Sequence, residues 1–189
     1  MLGWLKYRRD LRRTARSLYG SIVTQARGRA AYERWGVPDT PEGRFEMIVL
    51  HLALILRRLS HAGAPGRSLG QALTEVFVVD VDDTLREMSV GDLAVPRNVK
   101  RAVAVLQDRY RIYDAALTSP APELALKAPL ERAIGELGGV RDLDAVSICA
   151  YTYKIARALG YSADAQLLSG KPEWPSMMDQ GRGDGTGAD

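Results

Sequence analysis

This sequence is poor in the residues on which much small-protein chemistry depends. Of its 189 residues one is cysteine, Cys149, and two are histidine, His51 and His61. A single thiol excludes an intrachain disulfide and fits a reducing compartment. It also leaves too few ligands for a zinc site of the usual His/Cys kind. Cys149 lies in the apolar run Val146-Ser147-Ile148-Cys149-Ala150, where a packed, unreactive thiol is expected. There is no Gly-rich phosphate loop and no internal repeat, and strand-like character is confined to Val76–Val79. No run reaches the ~18 apolar residues of a membrane span. The longest, Met47 to Leu56, is interrupted by His51, and arginines break up any signal-peptide core near the start. The expectation is a soluble or peripheral protein with neither metal nor cofactor.

What the chain has in quantity is arginine, 21 against five lysines, and an uneven spread of charge. The net charge is +3, yet residues 1–34 alone carry +7. Residues 75–92 carry −5 and residues 97–111 carry +4. An acidic segment thus runs into a basic one across Gly91-Asp92 and Pro96, which suggests a charge-matched helical hairpin. The apolar fraction, 46%, suits an ordinary globular core.

Inside the acidic segment, Val76-Phe77-Val78-Val79-Asp80-Val81-Asp82-Asp83-Thr84-Leu85 fits the first motif of haloacid-dehalogenase-like phosphatases. There an aspartate pair ends a strand and works with Mg²⁺ in phosphoryl transfer, Asp80 as nucleophile and Asp82 as acid/base. The setting argues against that chemistry, because a motif counts only with its structural context. The 75 residues before Val76 read as helix, and no later run supplies the remaining motifs. Positions 69, 72, 73, 76, 77, 81, 84, 85 and 88 repeat at helical spacing. On that helix Asp80 points inward, and an arginine or Lys100 of the next segment is its expected partner.

Taken in order, residues 2–19 read as a basic amphipathic helix. Its Arg8, Arg9, Arg12, Arg13 and Arg16 are candidates for binding an anionic membrane or a ribosome. Ser21 to Trp35 reads as a second helix, with Ser21 as cap and Gly36 as stop. Thr40 or Asp39 caps a helix over 41–60, with Pro41 in its first turn. Apolar on nearly every side, that helix is the expected centre of the bundle. Residues 61–66 read as a loop, 68–88 as the acidic helix and 96–117 as the basic one. A weaker helix covers 124–137, and a strong one covers 142–159 with Gly160 just past its end. A short helix follows over 163–168. From Gly170 on, a third of the residues are Gly or Pro, as in low-complexity tails. The division is therefore residues 1–19 as the basic helix, 20–169 as the main domain and 170–189 as a disordered tail. The fold class is all-α: one irregular bundle of about seven to eight helices.

Laid out in this order, the chain resembles the ubiquinol–cytochrome c chaperone family, the assembly factors for cytochrome b of respiratory complex III. The resemblance spans about residues 17–168. It rests on Leu18-Tyr19-Gly20, Val37-Pro38-Asp39-Thr40 with Gly43-Arg44-Phe45-Glu46, and His51. Phe77, Asp80, Asp82, Leu85-Arg86-Glu87, Val90-Gly91-Asp92, Val95-Pro96, Lys100, Tyr110 and Tyr113 continue it. It implies an all-helical, non-enzymatic protein that binds newly made cytochrome b, with a small partner protein as a further possible associate. It also implies a place beside the inner membrane, on the cytoplasmic side in a bacterium or inside the mitochondrion in a eukaryote. A client groove is expected between the acidic and basic helices. Its floor would be Phe77, Val81, Leu85 and Tyr113. Asp80, Asp82, Asp83, Arg86, Glu87, Asp92 and Lys100 would be its polar part.

Overall fold

A computed structural model describes residues 2–88, 91, 93–137 and 142–177. Within them the chain is all-helical: 80% helix, with no strand. The helices are α1 (Leu2–Ala26), α2 (Arg29–Glu33), α3 (Pro41–Ser60), α4 (Gly63–Glu87), α5 (Val95–Thr118), α6 (Pro122–Leu130), α7 (Ala145–Tyr161) and α8 (Asp164–Leu168). A π-helical turn, Glu131–Gly135, follows α6.

Helix α3 is the centre, as its all-round apolarity predicts. Met47, Val49, Leu50, Leu52, Leu54 and Ile55 are all buried, and α1, α4, α5 and α7 pack around it. Thr40 starts the helix: its hydroxyl accepts from the Gly43 amide at 3.2 Å, and Pro41 occupies the first turn. Two buried polar residues on α3 are both satisfied. Glu46 takes a two-pronged contact from Arg109 of α5, at 3.1 and 3.0 Å. His51 lies wholly inside, with Nδ1 2.7 Å from the Met47 carbonyl and Nε2 3.0 Å from the Tyr151 hydroxyl. The carbonyl can only accept, so Nδ1 carries the proton and Nε2 accepts from Tyr151. Gln25 of α1 in turn donates to the Tyr151 oxygen at 2.7 Å. Burial lowers the His51 pKa to about 4.

Several boundaries differ from the sequence reading, each for a local reason. Helix α1 does not break at Gly20-Ser21. A mid-helix glycine costs only about 1 kcal/mol, and the buried stripe Ala15, Leu18, Tyr19, Ile22, Ala26 continues across it. Ser21 is no cap: its hydroxyl accepts from the Trp174 indole at 2.7 Å. Helix α4 begins at Gly63, five residues before the expected Ser68. Gly63 turns the chain at φ +67°, Pro65 needs no amide partner so early in a helix, and Gly66 lies against the Leu59 carbonyl. Pro129 removes an amide from α6, and the ladder beyond it widens to the π-turn. Helix α7 runs past Gly160 to Tyr161. Arg58 of α3 holds its end, donating to the Leu159 and Ser162 carbonyls at 2.8 Å each and to Asp164 at 2.5 Å.

The expected tail from Gly170 also needs correction. Through Met177 the chain is irregular but packed. Trp174 meets His51 edge-on at 5.5 Å, and Met177 is buried against Gly28. Counting Gly and Pro registers composition but misses two large apolar anchors. Residues 178–189 lie outside the described residues.

Candidate functional site: the outer face of helix α4

Helix α4 has a buried face and an open one. Leu69, Ala72, Leu73 and Phe77 fill the buried side. The Phe77 ring sits 6.5 Å from Tyr19 and 6.2 Å from Phe45, which locks α4 to α1 and α3. On the other side Val79 is 59% exposed, and just past the end of the helix Met88 is 54% exposed. Asp80, Asp83, Arg86 and Glu87 are exposed beside them, and Asp82, Val81 and Leu85 are half-buried. Arg86 donates to Asp82 one turn back at 2.7 Å. An exposed pair of this kind is itself worth only tenths of a kcal/mol.

The aspartate pair does not converge. Residues two apart on an α-helix point about 200° apart, and Asp80 and Asp82 lie on one continuous helix rather than at the end of a strand. Asp80 accepts a hydrogen bond from the Tyr19 hydroxyl of α1 at 2.8 Å. Its partner is thus neither an arginine of α5 nor Lys100, as the sequence had suggested. Burial, with Asp80 alongside, raises the Tyr19 pKa well above its ordinary value. Among the described residues no three His, Cys, Asp or Glu side chains are grouped as metal ligands.

The charge-matched hairpin also takes another form. The arginine–carboxylate pairs that tie α5 into the bundle run to α3: Arg109 to Glu46, and Arg57 to Asp114 at 2.8 Å. With α5 drawn onto α3, the acids of α4 face outward.

Two open grooves flank α4. One, of about 390 Å³, lies between α4 and α1. Val76 and Val79 line it with Glu75, Asp80 and Asp83 on the α4 side and Arg12 and Arg16 on the α1 side. The other, of about 330 Å³, lies against α5 and has an apolar floor of Leu56, Val103, Leu106 and Tyr110.

The predicted site residues therefore divide. Phe77 and Tyr113, taken as groove floor, are core residues exposed by 1% and 2%. The accessible floor on that side is Tyr110, one turn back along the same seam of α5, and Val103, about three turns back. Their 3–4 spacing was visible, but how far a partner helix covers such a seam is not written in spacing. Lys100 is exposed, yet it lies about 20 Å along α5 from Tyr113, since a helix rises 1.5 Å per residue. Asp92 lies outside the described residues. Asp80 and Asp83, by contrast, share a groove with Arg12 and Arg16, residues the sequence had placed in a separate surface-binding set. Arg8, Arg9 and Arg13 do not line that groove; with Arg12 and Arg16 they line the adjoining surface on the early turns of α1.

The class defined here is that of all-helical bundles, with an open, charged and partly apolar face on α4 and the acidic motif within a helix. The family model for ubiquinol-cytochrome C chaperones matches residues 33–174, and the chain belongs to this family. Among solved structures it is similar to the crystal structure of the Cbp3 homolog from Brucella abortus. That likeness has 31% sequence identity and a TM-score of 0.79, and covers 94% of this chain and 98% of that one. No curated protein matches the chain.

Proposed function

We propose that this protein is an assembly chaperone for ubiquinol–cytochrome c reductase, complex III, that binds newly made cytochrome b through the outer face of α4. The observation that carries the reading is the open face itself. A chain of this family leaves Val79, Asp83 and Glu87 uncovered on a helix whose other side is firmly packed. A newly made membrane protein presents apolar helices, disfavoured in water by roughly 25 cal/mol per Å² of apolar surface, together with polar loops. A face that sets exposed Val79 and groove-lining Val76 among carboxylates offers contacts to both. The groove with Val103 and Tyr110 remains for a small partner protein. No helix among the described residues is long and apolar enough to cross a membrane, so in this reading the chaperone works beside the bilayer that holds its client.

Catalysis has no part in the proposal. Diverging side chains at Asp80 and Asp82 cannot serve as nucleophile and acid on one phosphoryl group, and no Mg²⁺-dependent phosphoester hydrolysis is expected. The binding reading is tested with a photo-crosslinking residue placed at Val79 or Asp83, and at exposed Tyr161 as a distant control. Crosslinks to cytochrome b from the α4 positions and none from Tyr161 are expected. Equal labelling from all three would contradict an α4 site.

A further inference from the structure

The early turns of α1 carry surface that the bundle does not use. From Ala15 to Ala26 the inward stripe of this helix is fully packed: Ala15, Leu18, Ile22 and Ala26 are 0% exposed. Toward its start the same helix leaves Trp4 59%, Leu5 57% and Tyr7 52% exposed. Around these three stand Lys6, Arg8, Arg9 and Arg13, all exposed, and Asp10 is the sole carboxylate on these turns. Asp10 pairs with Arg13 at 3.2 Å. Arg9 has no carboxylate partner among the described residues. The Arg8 guanidinium stacks over the Trp4 ring at 4.9 Å.

We infer that the early turns of α1 dock on a bilayer surface containing anionic lipid. A cationic helix that exposes aromatic and aliphatic side chains lies in the plane of the interface. Its apolar groups enter the headgroup–acyl boundary while its arginines meet lipid phosphates. Tryptophan and tyrosine favour that depth, each with an apolar ring and a polar tip. Two observations favour lipid over nucleic acid, the other polyanion such a surface attracts. Leu5 adds aliphatic area, which suits acyl chains and gives a base nothing to stack on. Arg8 occupies a face of the Trp4 ring on which a base would stack. The inference is separate from the client reading, because Trp4, Leu5, Lys6, Tyr7, Arg8, Arg9 and Arg13 line no part of the α4 groove, which this surface meets only at Arg12 and Arg16.

The test uses the full chain with phosphatidylcholine vesicles, with and without phosphatidylglycerol. Trp4 reports directly, since Trp35 is buried and Trp174 partly so. The unmodified protein is expected to co-float with the anionic vesicles and not the neutral ones. Its tryptophan emission should shift to the blue, and rising salt should weaken binding. Each basic residue near such a surface contributes roughly a factor of five, so K6E/R9E/R13E is expected to weaken binding by at least about a hundredfold. W4A/Y7A should lose the binding that persists at high salt. Unchanged far-ultraviolet circular dichroism would show that both variants remain folded. Failure to bind anionic vesicles would overturn the inference, and so would binding that survives the charge reversal. Binding to purified ribosomes with no blue shift on vesicles would overturn it in favour of RNA.

Discussion

Two carboxylates, Glu46 on α3 and Asp80 on α4, face neighbouring helices and are held in opposite ways. Glu46 is 7% exposed and gripped by both prongs of Arg109. Asp80 is exposed and takes one hydrogen bond from Tyr19, with Arg12 and Arg16 across an open groove but no ion pair to either. The first arrangement joins α3 to α5 and closes the core. The second leaves charge of both signs lining a surface that water or another protein can enter. The contrast separates the two jobs of this bundle: α3 holds the structure together, and α4 anchors by one side and presents the other.

The largest expected difference concerns these two sites. Arg109→Ala strands a buried carboxylate and should lower stability by about 3 kcal/mol, measured by urea denaturation. A loss below about 1 kcal/mol would mean that Glu46 is not the structural carboxylate described here. A second effect of similar or slightly smaller size comes from His51. Its pKa in the folded state lies near 4, below the ordinary 6.5. The unfolded chain therefore takes up a proton first as pH falls. The stability that the neutral ring confers is fully present above pH 6.5 and is lost on the way down to about pH 4. That loss is on the order of 3 kcal/mol at most. His51→Gln should flatten the slope of stability with pH over this window, and an unchanged slope would remove His51 as its source. The smallest effects belong to α4. Tyr19→Phe should cost about 1 kcal/mol or less, because water can replace the donor at an exposed carboxylate. Asp80→Asn, which keeps the acceptor, should be near neutral in the same denaturation experiment. A cost at Asp80 equal to that at Arg109 would erase the distinction between the two helices.

The same contrast marks what the sequence made legible. Helix α3 could be read closely, because an apolar surface on every side and a Thr40-Pro41 start leave one interpretation. Period also showed that Val76–Val79 belongs to a helix, where the Asp-x-Asp string alone suggested a strand and an enzyme. What stayed hidden depended on which neighbour arrives. Phe77 and Tyr113 look the same in a periodic pattern whether they line a groove or fill a core. Burial between Tyr19 and Phe45 decides it for Phe77. The partner of Asp80 came from 61 residues upstream, a distance no local pattern spans. Trp174 was lost in a segment rich in Gly and Pro, although its indole ties that segment to Ser21 and its ring to His51.

The open face of α4 is the central claim, and charge reversal there separates binding from folding. In a strain lacking this protein, complementation with D82K/D83K/E87K is compared with the unmodified chain by a reduced-minus-oxidised haem spectrum of the membranes. The variant changes exposed Asp83 and Glu87 and half-buried Asp82, whose pair with Arg86 is solvent-facing; such substitutions usually move stability by no more than about 0.5 kcal/mol each, so it is expected to accumulate as a folded protein. The predicted result is a cytochrome b band restored by the unmodified chain and missing with the variant. A band of full height with the folded variant would contradict the account.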